Sequence, residues 1–181
     1  MSRSDSPASP SPGPELSRPV PLAQIGARTE RDVVATAAEC GAVAARLLIP
    51  AVAALSCRFH LAPAPGGAIL AEGRLHARVT RECVVTLELF EAPVDEAFRL
   101  RFVPEENLSD DDDLLDVEAD DEVPYHGTLI DIGEAAVEQL ALALDPYPRM
   151  PGAELEMPDD DADGGAPESP FAALARRGRP G

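Results

Sequence analysis

The chain has 181 residues, with 33 acidic and 15 basic side chains and a formal net charge of −18. A chain of this length buries a hydrophobic core without needing disulfides or metals. We expect neither a secretory leader nor a membrane span, because the N-terminus has no apolar core and no apolar run is long enough. The three cysteines, Cys40, Cys57 and Cys83, are odd in number and widely spaced, which favours reduced thiols in the cytoplasm.

The negative charge is concentrated in one part of the chain. Residues 15–103 carry ten acidic and ten basic side chains, whereas residues 104–124 carry eleven acidic side chains and no basic one. We therefore predict a disordered Ser/Pro-rich leader at 1–14, a domain at 15–152 that includes an acidic loop at 104–124, and a flexible acidic and basic tail at 153–181.

The first part of the domain is predicted to contain an edge strand and a helix. Residues 16–25 alternate around prolines, which an edge strand tolerates. Thr29, with Asp32 three residues later, resembles a helix N-cap. The Ala-rich helix that follows is predicted to continue to Leu48 and to end before Pro50.

From residue 53 to residue 103 apolar and polar residues alternate with a period of two, which indicates strands with one buried face. Turns are predicted at residues 63–67 and 92–93. We therefore predict an α+β fold in which an antiparallel sheet of about four strands is covered by an N-terminal helix and a buried C-terminal helix. The apolar positions of the four strands are Cys57, Phe59 and Leu61; Leu75, Ala77 and Val79; Val85, Leu87 and Leu89; and Phe98, Leu100 and Phe102.

The stretch at 125–148 predicts the central helix of the fold. Asp131 and Glu134 have the spacing of a capping box, and Ile130 is placed to act as a hydrophobic staple. Apolar residues from Ile132 onward cover most of the helix circumference until Pro146, so the helix should be largely buried.

Two sequence blocks resemble a known family. Residues 127–134 read Gly-Thr-Leu-Ile-Asp-Ile-Gly-Glu and precede a Leu-rich run and Asp-Pro-Tyr-Pro-Arg at 145–149. The earlier block at 72–87 is a Gly-x-Leu strand that leads to a cysteine. Both are similar to blocks of the YceD family, small bacterial and plastid proteins linked to accumulation of the large-subunit 23S rRNA, and they keep the family's order over roughly residues 15–152. The resemblance implies structural roles for Gly73, Cys83, Gly127, Asp131, Gly133, Glu134, Asp145 and Pro146.

The chain departs from the family in one respect. Many family members carry a cysteine cluster suited to zinc after the Leu-rich helix. This chain has no cysteine beyond Cys83. We therefore predict no metal site and no cofactor.

The polar face of the predicted sheet is the candidate site. If the strands are neighbours, its basic residues form a stripe able to contact RNA phosphates or a partner. The alternatives are an ordinary solvated face, with Glu82, Glu88 and Glu96 interleaved, and a protein interface. No exposed aromatic row supports base stacking. The residues of the stripe are Arg58, His60, Arg74, His76, Arg78, Arg99 and Arg101.

The acidic residues allow two interpretations each. Asp131, Glu134 and Glu138 share one side of the central helix, which suits capping and a solvated strip, or a metal or partner site. His126 is interpreted as a loop residue. The acidic loop is either a solvated linker or a nucleic-acid mimic that occupies basic protein surfaces.

The resemblance implies a non-catalytic factor that supports accumulation, processing or stability of 23S rRNA in the cytoplasm. Its partner would be 23S rRNA or its precursor, contacted directly or indirectly, with ribosomal proteins or rRNA-processing factors as further candidates. The alternative is an acidic adaptor or chaperone for a basic ribosomal protein or an RNA-processing enzyme. No catalytic constellation supports a hydrolase or nuclease, and neither a membrane nor DNA is an expected partner.

Overall fold

The computed structural model describes residues 14–107 and 121–154. Most of the predicted leader, the centre of the predicted acidic loop and the tail from residue 155 onward lie outside these residues. The described part is an α+β domain. Its elements are β1 (Pro19–Pro21), β2 (Thr29–Val34), α1 (Ala37–Arg46), β3 (Ala51–Pro63), β4 (Ile69–Glu82), β5 (Leu89–Pro104), β6 (Asp121–Tyr125), β7 (Leu129–Asp131) and α2 (Ile132–Ala143).

The main sheet has five strands in the order β2-β3-β4-β5-β6. Neighbours are antiparallel except β5 and β6, which are parallel. The prediction of a purely antiparallel sheet of about four strands is therefore wrong. The segment between Pro104 and Asp121 is long enough for the crossover that parallel strands require. Pro124, which lacks an N–H, is tolerated in β6 because this strand lies at the sheet edge.

The predicted start of the first helix is also wrong. Thr29 begins β2, and its segment pairs with β3, where Val33 lies opposite Cys57 and is fully buried. The helix is instead capped by Thr36, whose hydroxyl accepts from the N–H of Glu39 while the Glu39 carboxylate accepts from the N–H of Thr36. As part of an edge strand, Val33 is buried against the sheet. In the first turn of a surface helix, the same side chain would be exposed to solvent.

The β4–β5 connection differs from the prediction as well. The predicted strand around Val85 and Leu87 is a tight turn, in which the N–H of Cys83 donates to the carbonyl of Glu88 at 2.9 Å. The predicted turn at Ala92 and Pro93 lies inside β5. In the described residues β6 pairs with β5 only from Leu100 onward, so Pro93 faces a free edge and costs no ladder hydrogen bond.

The core lies between the buried face of the sheet and the two helices. α1 packs against β3, while α2 contacts β4, β5, β1 and β2. The predicted burial of the second helix is confirmed, although Leu142 is 72% exposed. The buried residues of α2 are Ile132, Gly133, Ala135, Ala136, Val137, Gln139 and Leu140.

The N-terminal segment closes the core from the other end. The predicted extended segment contains β1, which forms a separate two-stranded sheet with β7. A Cβ on Gly133 would lie 2.7 Å from the carbonyl oxygen of Leu16 and 2.8 Å from the nitrogen of Arg18. Only glycine therefore allows this backbone to reach the first turn of α2.

Candidate nucleic-acid interface

The polar side of the central strands forms one surface, which we call the outward face. Even-numbered residues of β3 from Ser56 and of β4 point outward, and the odd-numbered residues of β5 lie opposite those of β4. In this register Arg58 lies opposite Arg74, and Arg99 lies opposite Glu72. The strands thus bring the seven predicted residues to the same face: Arg58, His60, Arg74, His76, Arg78, Arg99 and Arg101.

Three of the arginines pair with carboxylates of neighbouring strands. Arg58 Nε lies 2.8 Å from Asp32 Oδ1, and Arg74 Nη2 lies 2.9 Å from Asp95 Oδ1. Arg99 lies 3.3 Å from a carboxylate oxygen of Glu72. The outward face is consequently a network of alternating charges rather than a uniformly basic stripe.

Two further basic side chains of the outward face, His76 and Arg101, lie at longer distances from their carboxylate partners. His76 Nδ1 lies 3.4 Å from Asp95, and Arg101 lies 3.6 Å from Glu122. The hydrogen bond from Arg74 lowers the pKa of Asp95, and the hydrogen bond to Asp32 raises the pKa of Arg58. These side chains are about half exposed, and ion pairs in that setting contribute little to stability.

Two basic side chains of the outward face have no polar partner among residues 14–107 and 121–154. Arg78 lies between Ala54 on β3 and Pro93 on β5, neither of which carries a polar side chain. His60 is exposed and forms neither an ion pair nor a side-chain hydrogen bond within the described residues. The hydrogen-bonding groups of these two side chains are therefore directed at solvent or at a ligand.

An open depression of about 620 Å³ lies among the arginines of the outward face. Arg58, Arg74 and Arg99 line it together with His60 and Glu72, and the small side chain of Ala97 leaves the space between them open. From the buried side Phe98 packs directly beneath Gly73 and makes an edge-to-face contact with Phe59 at 5.6 Å. These core contacts therefore fix the backbone of β3, β4 and β5, which carries the three guanidinium groups.

The predicted cap of α2 is present in part. The Asp131 carboxylate accepts from the N–H groups of Gly133 at 2.9 Å and Glu134 at 3.2 Å. It also accepts from the N–H of Arg18 at 2.8 Å and from the hydroxyl of Ser17. The Glu134 side chain does not complete the predicted capping box, because it pairs with Arg46 at 2.6 Å. Asp131 therefore joins the N-terminal segment to α2.

The other family-signature residues lie near the ends of strands and helices. Gly127 has a φ of +69° in the turn before β7. The carbonyl of Asp145 accepts from Arg81 at 2.8 Å, which ties the residues before Pro146 to β4. His126 lies in the predicted loop, and its Nδ1 is 2.7 Å from Glu105.

Cys83 is fully buried where the β4–β5 turn meets the segment that follows α2. Its sulfur accepts hydrogen bonds from the N–H groups of Thr86 at 3.5 Å and Met150 at 3.4 Å. Hydrogen bonds from Thr86 and Met150 stabilise the thiolate and lower the pKa of Cys83 to about 7. Sequence reasoning missed this arrangement, because it placed the following residues in a strand.

A second surface, which the sequence did not reveal, is a groove of about 320 Å³ between β6 and α2. We call it the acidic groove. Phe102, Val123 and Tyr125 form its apolar lining, while Glu122 and the three predicted acidic residues of the second helix, Asp131, Glu134 and Glu138, also lie along it. The predicted acidic side of the helix therefore faces a concave surface rather than open solvent.

The part of the chain that the structure describes contains neither a metal-binding cluster nor a membrane-spanning helix. There, no group of three or more His, Cys, Asp or Glu side chains is arranged to hold a metal ion. Neither described helix is long and apolar enough to cross a membrane.

The comparisons with known proteins identify the family. The family model described as large ribosomal RNA subunit accumulation protein YceD matches residues 71–176, from β4 through α2 and into the C-terminal segment. Neither the curated proteins nor the solved structures contain a match to the chain. Because the family model covers more than half of the 181 residues, the chain belongs to the YceD family of large ribosomal RNA subunit accumulation proteins.

Proposed function

We propose that this protein is a non-catalytic cytoplasmic factor that supports accumulation, processing or stability of 23S rRNA by contacting the RNA backbone through its outward face. The family name supports a role connected with large-subunit rRNA. The observation that carries the proposal is the gathering of five arginines and two histidines on one face of three adjacent strands.

The ion pairs of the outward face are compatible with RNA contact. An exposed ion pair contributes about 0–1 kcal/mol, so a phosphate can replace a carboxylate partner at small cost. Arg58, Arg74 and Arg99 surround one depression, and a guanidinium group can bind phosphate through two parallel hydrogen bonds. A phosphate can bind Arg78 without displacing a carboxylate, because no described carboxylate pairs with this residue.

The expected mode of contact is recognition of the backbone rather than of bases. Phe98 of β5 is the one Phe, Tyr or Trp among the described residues that line the depression, and its ring packs against Phe59 of β3 and the core. A single ring held by the core does not form a row of stacking platforms, so stacking on successive bases is not expected. Phosphate contacts give affinity and orientation with little sequence preference.

A salt titration with a fragment of 23S rRNA tests this proposal. We expect Arg78→Glu to weaken binding several-fold and to reduce the slope of log affinity against log salt by roughly one contact. Arg149→Glu is the control, because Arg149 is exposed in the segment after α2 and makes the same change in charge. Equal loss in both variants would show that net charge, not the outward face, determines binding.

A second candidate function is an acidic adaptor that binds a basic ribosomal protein or an RNA-processing enzyme. The acidic groove and the eleven acidic residues at 104–124 favour it. Its test replaces the acidic residues within 108–120 by Asn and Gln, which keeps the length of the crossover and leaves β6 intact. Loss of ribosomal-protein capture with unchanged RNA binding would favour the adaptor, and the reverse would favour the outward face.

Catalysis is not part of the proposal. The family is named for rRNA accumulation and not for a reaction. Metal-dependent shortening of 23S rRNA by the purified protein, abolished by a substitution in the protein, would contradict this point.

A further inference from the structure

The acidic groove contains carboxylate oxygens that lack partners. Glu134 Oε1 pairs with the guanidinium group of Arg46, while Oε2 is buried and accepts no hydrogen bond within the described residues. Glu138 forms no ion pair there, and burial and the charge of Glu134 raise its pKa. Glu134 Oε2 is closed to solvent, whereas the Glu138 side chain is exposed along the groove and can meet an incoming cation, so this end of the groove is suited to a cationic group.

The groove also has an apolar lining. Phe102 and Ala135 are buried beneath it, and Val123 and Tyr125 are partly exposed along β6. A ligand that combines an apolar side chain with several arginines would match both parts of this surface. Arginine is the appropriate cation, because its planar group donates to two carboxylates at once.

Charge distinguishes the three segments of the chain that lie outside the described residues. Residues 1–13 carry one arginine and one aspartate, and residues 108–120 carry seven acidic side chains and no basic one. The like charges of 108–120 would be repelled by the groove. The third segment is divided: residues 155–170 carry six acidic side chains and no basic one, whereas residues 171–181 carry three arginines, no acidic residue and the apolar side chains Phe171 and Leu174.

We propose that residues 171–179 bind in the acidic groove of the same molecule, with Phe171 against the apolar lining and Arg176, Arg177 and Arg179 at the carboxylates. This intramolecular interaction goes beyond the proposed function and uses a surface other than the outward face.

The length of the chain permits the interaction. Sixteen residues separate Glu154 from Phe171, and an extended chain of that length spans about 50 Å. A domain of this size has a radius of gyration of about 14 Å, so the segment can reach any part of the surface. The tether also gives the segment a high effective concentration at the groove. The family match ends at Arg176, so it includes Phe171, Leu174 and Arg176 but neither Arg177 nor Arg179.

A single-tryptophan reporter tests the proposal in the full-length protein. The chain has no tryptophan, so Phe171→Trp places one fluorophore in the segment. We expect a blue-shifted emission and weak quenching by acrylamide, both independent of protein concentration. Adding Glu122→Arg and Glu138→Arg should shift the emission to the red. Glu82→Arg combined with Glu91→Arg, two exposed charge reversals outside the groove, is the matched control and should leave the emission unchanged.

A charge exchange keeps the test decisive if the groove variant is unstable. Arg176→Glu, Arg177→Glu and Arg179→Glu alter only the tail, and amide NMR shifts relative to the wild type should cluster in β6 and α2. Combining these changes with the groove reversals should restore the blue-shifted emission. Emission typical of exposed tryptophan, dependence on protein concentration that indicates a second copy, or NMR shifts elsewhere would overturn the proposal.

Discussion

At the scale of single residues, the sheet depends on the absence of a side chain at Gly73. A Cβ there would lie 2.1 Å from Cζ of Phe98, far inside van der Waals contact. Alternation in the sequence predicted the inward and outward residues of β3, of β4 and of the C-terminal half of β5, but it was wrong around Val85 and Leu87, which lie in a turn. It did not predict this contact, nor the pairing of Arg58 with Asp32, because both depend on which strands are neighbours and in what register.

We predict that Gly73→Ala destabilises the protein by about 1–3 kcal/mol, the usual cost of overpacking a filled core. Thermal and urea unfolding measure the effect. Phe98→Leu in the same chain should recover part of the loss by making room for the methyl group. An additive double mutant would contradict a direct steric conflict between the two positions.

Glu39 provides a prediction about pH. Hydrogen bonds from Arg18 and Thr36 lower the pKa of Glu39 from 4.5 to about 2. Because the folded pKa lies below the unfolded value, the stabilisation is present above about pH 4.5 and is lost as pH falls toward 2. The wild type should therefore exceed Glu39→Gln in unfolding free energy at neutral pH, and the difference should shrink on acidification. A constant difference from pH 7 to pH 2 would be inconsistent with this linkage.

At the scale of elements, the first helix shows where sequence patterns are ambiguous. Thr29 and Thr36 are each followed three residues later by a carboxylate, Asp32 and Glu39 respectively. Both patterns resemble an N-cap, and only the pairing of Thr29–Val34 with β3 selects the second. The C-terminal helix was predicted more accurately, because its cap, apolar run and terminating proline all indicate the same element.

The end of α1 gives a prediction at this scale. Leu48 has a φ of +53° and is 92% exposed. The N–H of Leu48 donates to Ala45 and that of Ile49 donates to Ala44, which is a Schellman arrangement that glycine usually occupies. Leu48→Gly should therefore stabilise the protein by about 1 kcal/mol, measured by urea unfolding. Ala97→Gly, at an exposed strand position that is paired with Arg74, is the control and should destabilise it.

At the scale of the whole molecule, charge and topology are linked. The crossover between β5 and β6 begins with acidic residues, and β6 returns to place Glu122 beside Arg101 and along the acidic groove. The sequence predicted an acidic loop at 104–124 because this stretch carries eleven acidic side chains and no basic one. Parallel pairing of Asp121–Tyr125 to β5 could not be inferred from such a short, polar segment.

The central claim is direct contact between the outward face and 23S rRNA, and cross-linking in living cells tests it most directly. A tagged wild-type protein should give discrete cross-links to 23S rRNA or its precursor. These should be lost in the Arg74→Glu, Arg78→Glu and Arg101→Glu triple variant but retained in Arg149→Glu. Recovery of ribosomal proteins without RNA cross-links, dependent on the acidic residues within 108–120, would contradict direct contact and favour the acidic adaptor.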